Sequence, residues 1–201
     1  MTRVITASEF VVMPWKNGKG ETREILKIED EAGWLLRVSS ASVNESGPFS
    51  DYNGFDRSLI NLGPGNMRLR SEETLIADLG RLDVAHFSGE IPIFCEIDKT
   101  CVDFNVFCRA KVMFATTIAR KLTKPEFVPI PAGSGLLIYV IDGELIAHDL
   151  ERREFGVVSG ECLVSDIPQV QGAERWMLAN AGEGVCAYIA VAFRGGSQRE
   201  I

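Results

Sequence analysis

Four arginines, Arg23, Arg37, Arg57 and Arg109, stand in separate β-type segments of the first half of the chain. A guanidinium is a planar fork that can hold a carboxylate through two parallel hydrogen bonds. Burying one is costly unless something neutralises it. The four therefore either pair with nearby acids such as Glu24, Asp56 and Asp103, or some remain free to clamp an anionic ligand. Smaller polar groups accompany them: Ser39, Asp103 and Asn105, and Asn17 within the polar, glycine-rich stretch between Trp15 and Glu24. The glycines of that stretch permit a close backbone approach to a bound group. Its spacing is not that of a P-loop, and a solvated turn before a strand is the plainer alternative.

Other chemistries lack their residues. The two histidines, His86 and His148, have no second metal-ligand residue at a suitable spacing. A catalytic metal needs three or more converging ligands, so no metal and no cofactor are expected. His86 reads as a satisfied barrel histidine and His148 as an exposed hairpin residue. There is no nucleophile-elbow pattern and no recognisable Cys/His pair. Glu24 and Asp103 are the candidate general bases, if burial raises their affinity for a proton.

Composition narrows the class further. The chain has 201 residues, a net charge of −7 and 46% hydrophobic residues, as expected of a globular protein with an ample core. The acidic balance and the lack of a basic stripe argue against nucleic-acid binding. No run of about 18 apolar residues suggests a membrane span, and the N-terminus lacks an export signal. Five cysteines without a CxxC pair read as reduced, mostly buried thiols of a cytoplasmic protein.

The elements that must position the polar residues are strands. Alternating apolar and polar residues mark Trp34–Val43, Phe55–Leu62, Leu82–Phe87, Cys101–Arg109, Lys111–Ala119, Gly135–Ile141, Glu144–Asp149 and Gly184–Phe193. Gly63-Pro64-Gly65 and Gly182-Glu183-Gly184 read as turns, and Asp142-Gly143 as a hairpin. One short helical piece is allowed near Ser71–Leu79. Leu59-Ile60-Asn61-Leu62 with Gly65 and Met67 is matched at a constant offset by Leu137-Ile138-Tyr139-Val140 with Gly143 and Leu145. Two similar β units suggest a duplicated barrel, divided here into 1–120 and 121–201. Strand parity puts Arg37, Ser39 and Ala41 on one face, and Asp103, Asn105 and Arg109 on another. Val102, Phe104, Val106 and Cys108 make the opposite, core face.

Several of these segments resemble the HutD/Ves family. Trp15-Lys16-Asn17-Gly18-Lys19-Gly20-Glu21-Thr22-Arg23-Glu24-Ile25 resembles its W-x-N-G-x-G-x-T-R-E-I motif, and Arg37–Val43 its R-x-S-x-A-x-V strand. Gly47-Pro48-Phe49-Ser50 with Gly54–Arg57, and Asp103-Phe104-Asn105 with Arg109, resemble two further motifs. Lys19, Asn53 and Leu36 depart from the pattern. The resemblance implies a cupin-type double-stranded β-helix, so the expected fold is all-β, with that barrel duplicated into a bicupin. It also implies a link to histidine utilisation or stress response, and by analogy a ligand such as urocanate or formiminoglutamate.

The leading expectation is a metal-free binder of a small anionic metabolite, using Asn17, Arg23, Glu24, Arg37, Ser39, Arg57, Asp103, Asn105 and Arg109. The alternatives are a metal-free isomerase or hydrolase, and a protein–protein interaction module. A homodimer is compatible with the sequence.

Overall fold

A computed structural model describes residues 1–15, 20–149, 151–166 and 174–196. These form strands throughout, with one short 3-10 turn, Ala7–Glu9. No helix among them is long and apolar enough to cross a membrane. The chain divides into two units. One is Phe10–Met113; the other joins Met1–Glu9 to Phe114–Ile201.

After β1 (Thr2–Ile5), the first unit contains β2 (Val11–Pro14), β3 (Glu21–Asp30), β4 (Gly33–Val43), β5 (Gly47–Pro48), β6 (Phe55–Asn61), β7 (Met67–Ser71), β8 (Thr74–Leu79), β9 (Val84–Ser88), β10 (Phe94–Ile97) and β11 (Cys101–Arg109). A six-stranded sheet has the order β2-β3-β4-β11-β6-β9, and a four-stranded sheet the order β5-β10-β7-β8. Leu59 from the larger sheet packs with Met67, Leu69, Leu79 and Cys95 from the smaller in one apolar cluster. Leu36, Val38, Phe104 and Val106 are buried on the reverse face of the larger sheet, as their parity predicts.

The second unit contains β12 (Met113–Leu122), β13 (Glu126–Ile130), β14 (Gly135–Asp142), β15 (Glu144–His148), β16 (Glu154–Val158), β17 (Cys162–Ser165), β18 (Glu174–Asn180) and β19 (Cys186–Gly195). Its sheets run β1-β17-β14-β19-β12 and β13-β18-β15-β16. Side chains of both sheets fill its core, among them Ile138, Leu163, Trp176, Leu178 and Tyr188. The Tyr188 hydroxyl donates to the Glu126 carboxylate.

Several expectations change. The division falls at the start of β12 rather than at residue 120, and residues 1–9 go with the second unit because β1 pairs with β17. Ser71–Leu79 is not helical: β7 and β8 pair antiparallel across a turn at Glu72, whose φ is 50°. The Asp142-Gly143 turn exists, with Gly143 at φ 79°, but it makes no hairpin. β14 pairs with β17 and β19, while β15 pairs with β16 and β18, so the turn carries the chain from one sheet to the other. The Gly63–Gly65 turn does the same between β6 and β7.

The two histidines also differ from expectation. His86 is exposed on β9 and shares a 2.8 Å hydrogen bond with Ser58. His148 is half-buried, with Nε2 3.2 Å from Glu154. All five cysteines are free and buried.

Candidate functional site

In antiparallel sheets, residues directly opposite one another on neighbouring strands point to the same face. Three rungs therefore cross the six-stranded sheet on the face opposite Val38 and Phe104. One runs Thr22–Ala41–Asp103–Asn61, the next Glu24–Ser39–Asn105–Leu59, and the third Arg37–Phe107–Arg57–Phe87. Thr22, Arg37, Ser39, Arg57, Asp103 and Asn105 of these rungs, with Trp15, Phe49 and Tyr52 from the flanking segments, line a cavity of about 520 Å³. Such a hollow inside a small barrel is the size of a small-molecule site.

Arg57 dominates the wall. It is 6% exposed. Its Nε and Nη2 donate to Asn105 Oδ1 at 3.0 and 2.6 Å. Its guanidinium carbon lies 4.7 Å from the ring centre of Phe49, 5.1 Å from that of Phe107 and 5.3 Å from that of Phe87. Three ring faces and one amide oxygen thus replace water around the cation. Arg57 has no ion-pair partner among the described residues. A guanidinium carries five N–H groups, so those not given to Asn105 remain for a guest. Burial lowers its affinity for a proton, while Asp103 opposes that shift.

Asp103 stands beside it. Its Oδ1 accepts from the Ala41 amide at 3.1 Å and from Asn105 Nδ2 at 2.7 Å. Burial raises its pKa, and Arg57, Asn105 and Ala41 pull the other way. Asn105 is therefore a bridge, accepting from the cation and donating to the acid.

Arg37 is arranged differently. Its Nε donates to Glu24 Oε2 at 2.7 Å, and both side chains are largely buried. Its guanidinium lies over Trp34 at 4.9 Å and nearer the edge of contact with Phe107 at 5.9 Å. Glu24 is consequently tied up as a counter-ion and does not line the cavity, which removes it as a free base.

Two further predicted members, besides Glu24, fall outside. Arg23 has the opposite parity to Thr22 and Glu24, and its exposed side chain bonds Glu21 at 2.8 Å. Arg109 lies at the end of β11, where it reaches Asp30 at 3.2 Å and the Ala32 carbonyl at 3.0 Å. Ser39 lines the cavity. Asn17 lies outside the described residues. Sequence reasoning misses the aromatic wall, although Phe107 shares the parity of Asp103 and Asn105 and is placed by it.

The flank of the cavity is held by the glycine-rich motif. Trp15 Nε1 donates to Thr22 Oγ1 at 2.9 Å, and the Trp15 amide donates to the Gly20 carbonyl at 2.9 Å. A Cβ on Gly20 would come within 2.7 Å of the Ser42 carbonyl and 3.1 Å of the Trp15 ring. Glycine is needed there for closeness.

As a metal site the wall does not fit. Its described residues include one carboxylate, Asp103, and neither histidine nor cysteine. That donor set is too small for a bound transition metal. Among all described residues, no cluster of three such ligands occurs.

The HutD family model matches residues 7–186. The chain belongs to the HutD family. HutD relatives include an uncharacterised 21.2 kDa protein in the hutC 3' region of Pseudomonas putida, 35% identical over 107 residues, or 52% of this chain and 56% of that one. The protein Ves of Cronobacter sakazakii is 32% identical over 142 residues, 67% of this chain and 74% of its own. A third match, Ves of Escherichia fergusonii, covers 57% of that protein, so the chain spans little more than half the length of two of these three relatives.

Among solved structures, a conserved protein of unknown function from Pseudomonas aeruginosa PAO1 has a TM-score of 0.87 at 27% identity, covering 96% of this chain and 99% of that one. HutD from Pseudomonas fluorescens SBW25 has a TM-score of 0.80 at 23% identity, covering 97% and 99%. A cupin 2 conserved barrel domain protein from Leptotrichia buccalis, at 12% identity and TM-score 0.57 over 94% and 95%, has a similar fold. The chain is thus all-β, with a cupin-like fold.

Proposed function

We propose that the first unit binds a small carboxylate metabolite in its cavity, without a metal, in a regulatory role in histidine utilisation or stress response. The observation that carries this reading is Arg57. It is buried at the cavity wall, hydrogen-bonded to a neutral amide, with N–H groups left over and no carboxylate as direct partner among the described residues. A carboxylate guest would complete its coordination. The names of the relatives support the physiological half of the reading: one lies beside hutC, and a solved neighbour is HutD, determined under a formate condition. The apolar buried cluster of the second unit favours a structural role for it.

Two finer points belong to the same proposal. The units read as two copies of one barrel. Supporting this, the strand orders correspond strand for strand: β9-β6-β11-β4 and β5-β10-β7-β8 in the first unit, β17-β14-β19-β12 and β13-β18-β15-β16 in the second. Five free buried thiols suit a reducing cytoplasm.

The test is thermal denaturation with urocanate, formiminoglutamate, formate and succinate, for the native protein and Arg57→Gln. A ligand at 100 times its Kd adds about 2.7 kcal/mol, roughly 5–10 °C in a chain of this size. A rise with at least one acid, absent in Arg57→Gln, is expected. No rise with any of the four overturns the proposal.

A further inference from the structure

We propose that a carboxylate entering the cavity brings one proton with it, taken up by Asp103, so that binding strengthens as pH falls. This rests on the carboxylate-binding reading above and adds its regulation.

The charges around the cavity are already balanced. Arg37 is paired with Glu24, and Arg57 faces Asp103 across Asn105. A guest carboxylate beside Arg57 is therefore a second anion beside one cation, in a hollow where Asp103 is 2% exposed. Two carboxylates that share a desolvated site do not both stay ionised. The geometry singles out which one accepts the proton. Asp103 Oδ1 already accepts two hydrogen bonds, while Oδ2 receives none from the described residues. A proton from solvent on Oδ2 converts it from acceptor to donor, aimed at the guest, and leaves the bonds to Oδ1 intact. Arg57 then keeps one full counter-ion, the guest itself. Burial already biases Asp103 towards the protonated form.

No other group near Asp103 among the described residues accounts for such a titration. From β11 it meets Asn105, from β4 the Ala41 amide, and from β6 Arg57 and the opposite Asn61. Asn61 is committed to the turn that follows β6. Cys95 on β10 stays protonated, its thiol pushed up to about 12 by burial, and burial also raises the Cys101 thiol. Tyr52 interacts with Arg57 rather than with Asp103. His86 is outward-facing and bonded to Ser58, and His148 belongs to the other unit.

The experiment titrates sodium formate into the full chain from about pH 5.5 to about pH 8.5, following tryptophan fluorescence, with Asp103→Asn in parallel. Formate stays ionised over this range, since free carboxylates titrate near 3.5. The native Kd should rise up to about tenfold per pH unit over part of the range. Asp103→Asn, fixed in the neutral form with its Oδ1 contacts retained, should bind with a flat profile and more tightly than the native protein at the alkaline end. If Asp103→Asn fails to fold, formate added to unbuffered native protein near neutrality should take up close to one proton per site. Formate binding with a flat native profile or no proton uptake overturns the proton coupling and leaves the binding reading standing. Absence of formate binding at every pH, in native protein and variant alike, overturns the proton coupling, and the binding reading falls with it only if urocanate, formiminoglutamate and succinate also leave Tm unchanged.

Discussion

Asn105 is where the polar wall should be most vulnerable, and Asn105→Leu tests this. The side chain gives one oxygen to two N–H groups of Arg57 and its amide to Asp103, all in a buried setting. Leucine has the same branched heavy-atom shape and is somewhat larger, so no cavity forms and the loss is mainly electrostatic. Hydrogen bonds to charged groups contribute about 1.5–3 kcal/mol each, and breaking a buried charge network by removing one member costs about 3–5 kcal/mol. The ring faces of Phe49, Phe87 and Phe107 still surround Arg57. The lower part of that range, about 3 kcal/mol, is therefore expected. At this chain length that is roughly 6–12 °C in Tm.

The assay is urea unfolding followed by tryptophan fluorescence, on Asn105→Leu, Arg57→Met and the double variant. With Arg57 gone, the Asn105 oxygen has no cation to serve, so the double variant should be more stable than the sum of the single losses implies. A coupling of about 1–3 kcal/mol is expected for groups in one network. Additivity within about 0.5 kcal/mol would refute the bridge.

Three further outcomes follow from the same structure. Gly20→Ala forces a methyl to within 2.7 Å of the Ser42 carbonyl; it should lower stability by about 1–3 kcal/mol and shift the Trp15 emission, and an unchanged spectrum and Tm would contradict the contact. Glu24→Gln removes the counter-ion of Arg37; stability should fall by about 1–3 kcal/mol while formate affinity rises, because the cavity gains net positive charge, and weaker formate binding would contradict the role given to Glu24. Burial pushes the Cys95, Cys108 and Cys162 thiols up to about 12, so the thiolate fraction is negligible at neutral pH. A thiol reagent should leave all three unmodified in the native protein and label them on unfolding; rapid native labelling of any of them would contradict their burial.

Much of this is legible from the two-residue period of a strand. That period puts Arg37, Ser39 and Ala41 together, and Asp103 with Asn105, and the register of β4 against β11 brings both sets onto one face. Parity does not say how far along the barrel a residue stands, which is why Arg109 shares the parity of Asp103 and still ends at Asp30. Nor does it give strand partners. The Glu24–Arg37 pair depends on how β3 aligns with β4, including a register shift just after Glu24. Turn chemistry is similarly local: Asp142-Gly143 allows the bend but cannot tell a hairpin from a crossing between sheets. At Glu72 the usual signal is missing, since a glutamate adopts a positive φ where glycine or asparagine is the common choice.

The contrast between the two interiors gives the functional reading its physical basis. In the second unit the buried cluster is apolar, built from Trp176, Tyr188 and their aliphatic neighbours. In the first, positions on the inner face of the larger sheet carry Arg57, Asp103 and Asn105 around an open volume. A barrel needing only stability gains more from apolar side chains of matching size than from buried charges, whose desolvation offsets their attraction. Here the charged groups are held with their bonding capacity partly unused: Arg57 by three rings and one amide, Asp103 through a single oxygen. Such an arrangement gives up folding stability, and the proposed binding of an anion would complete it, which a structural ion pair alone does not need.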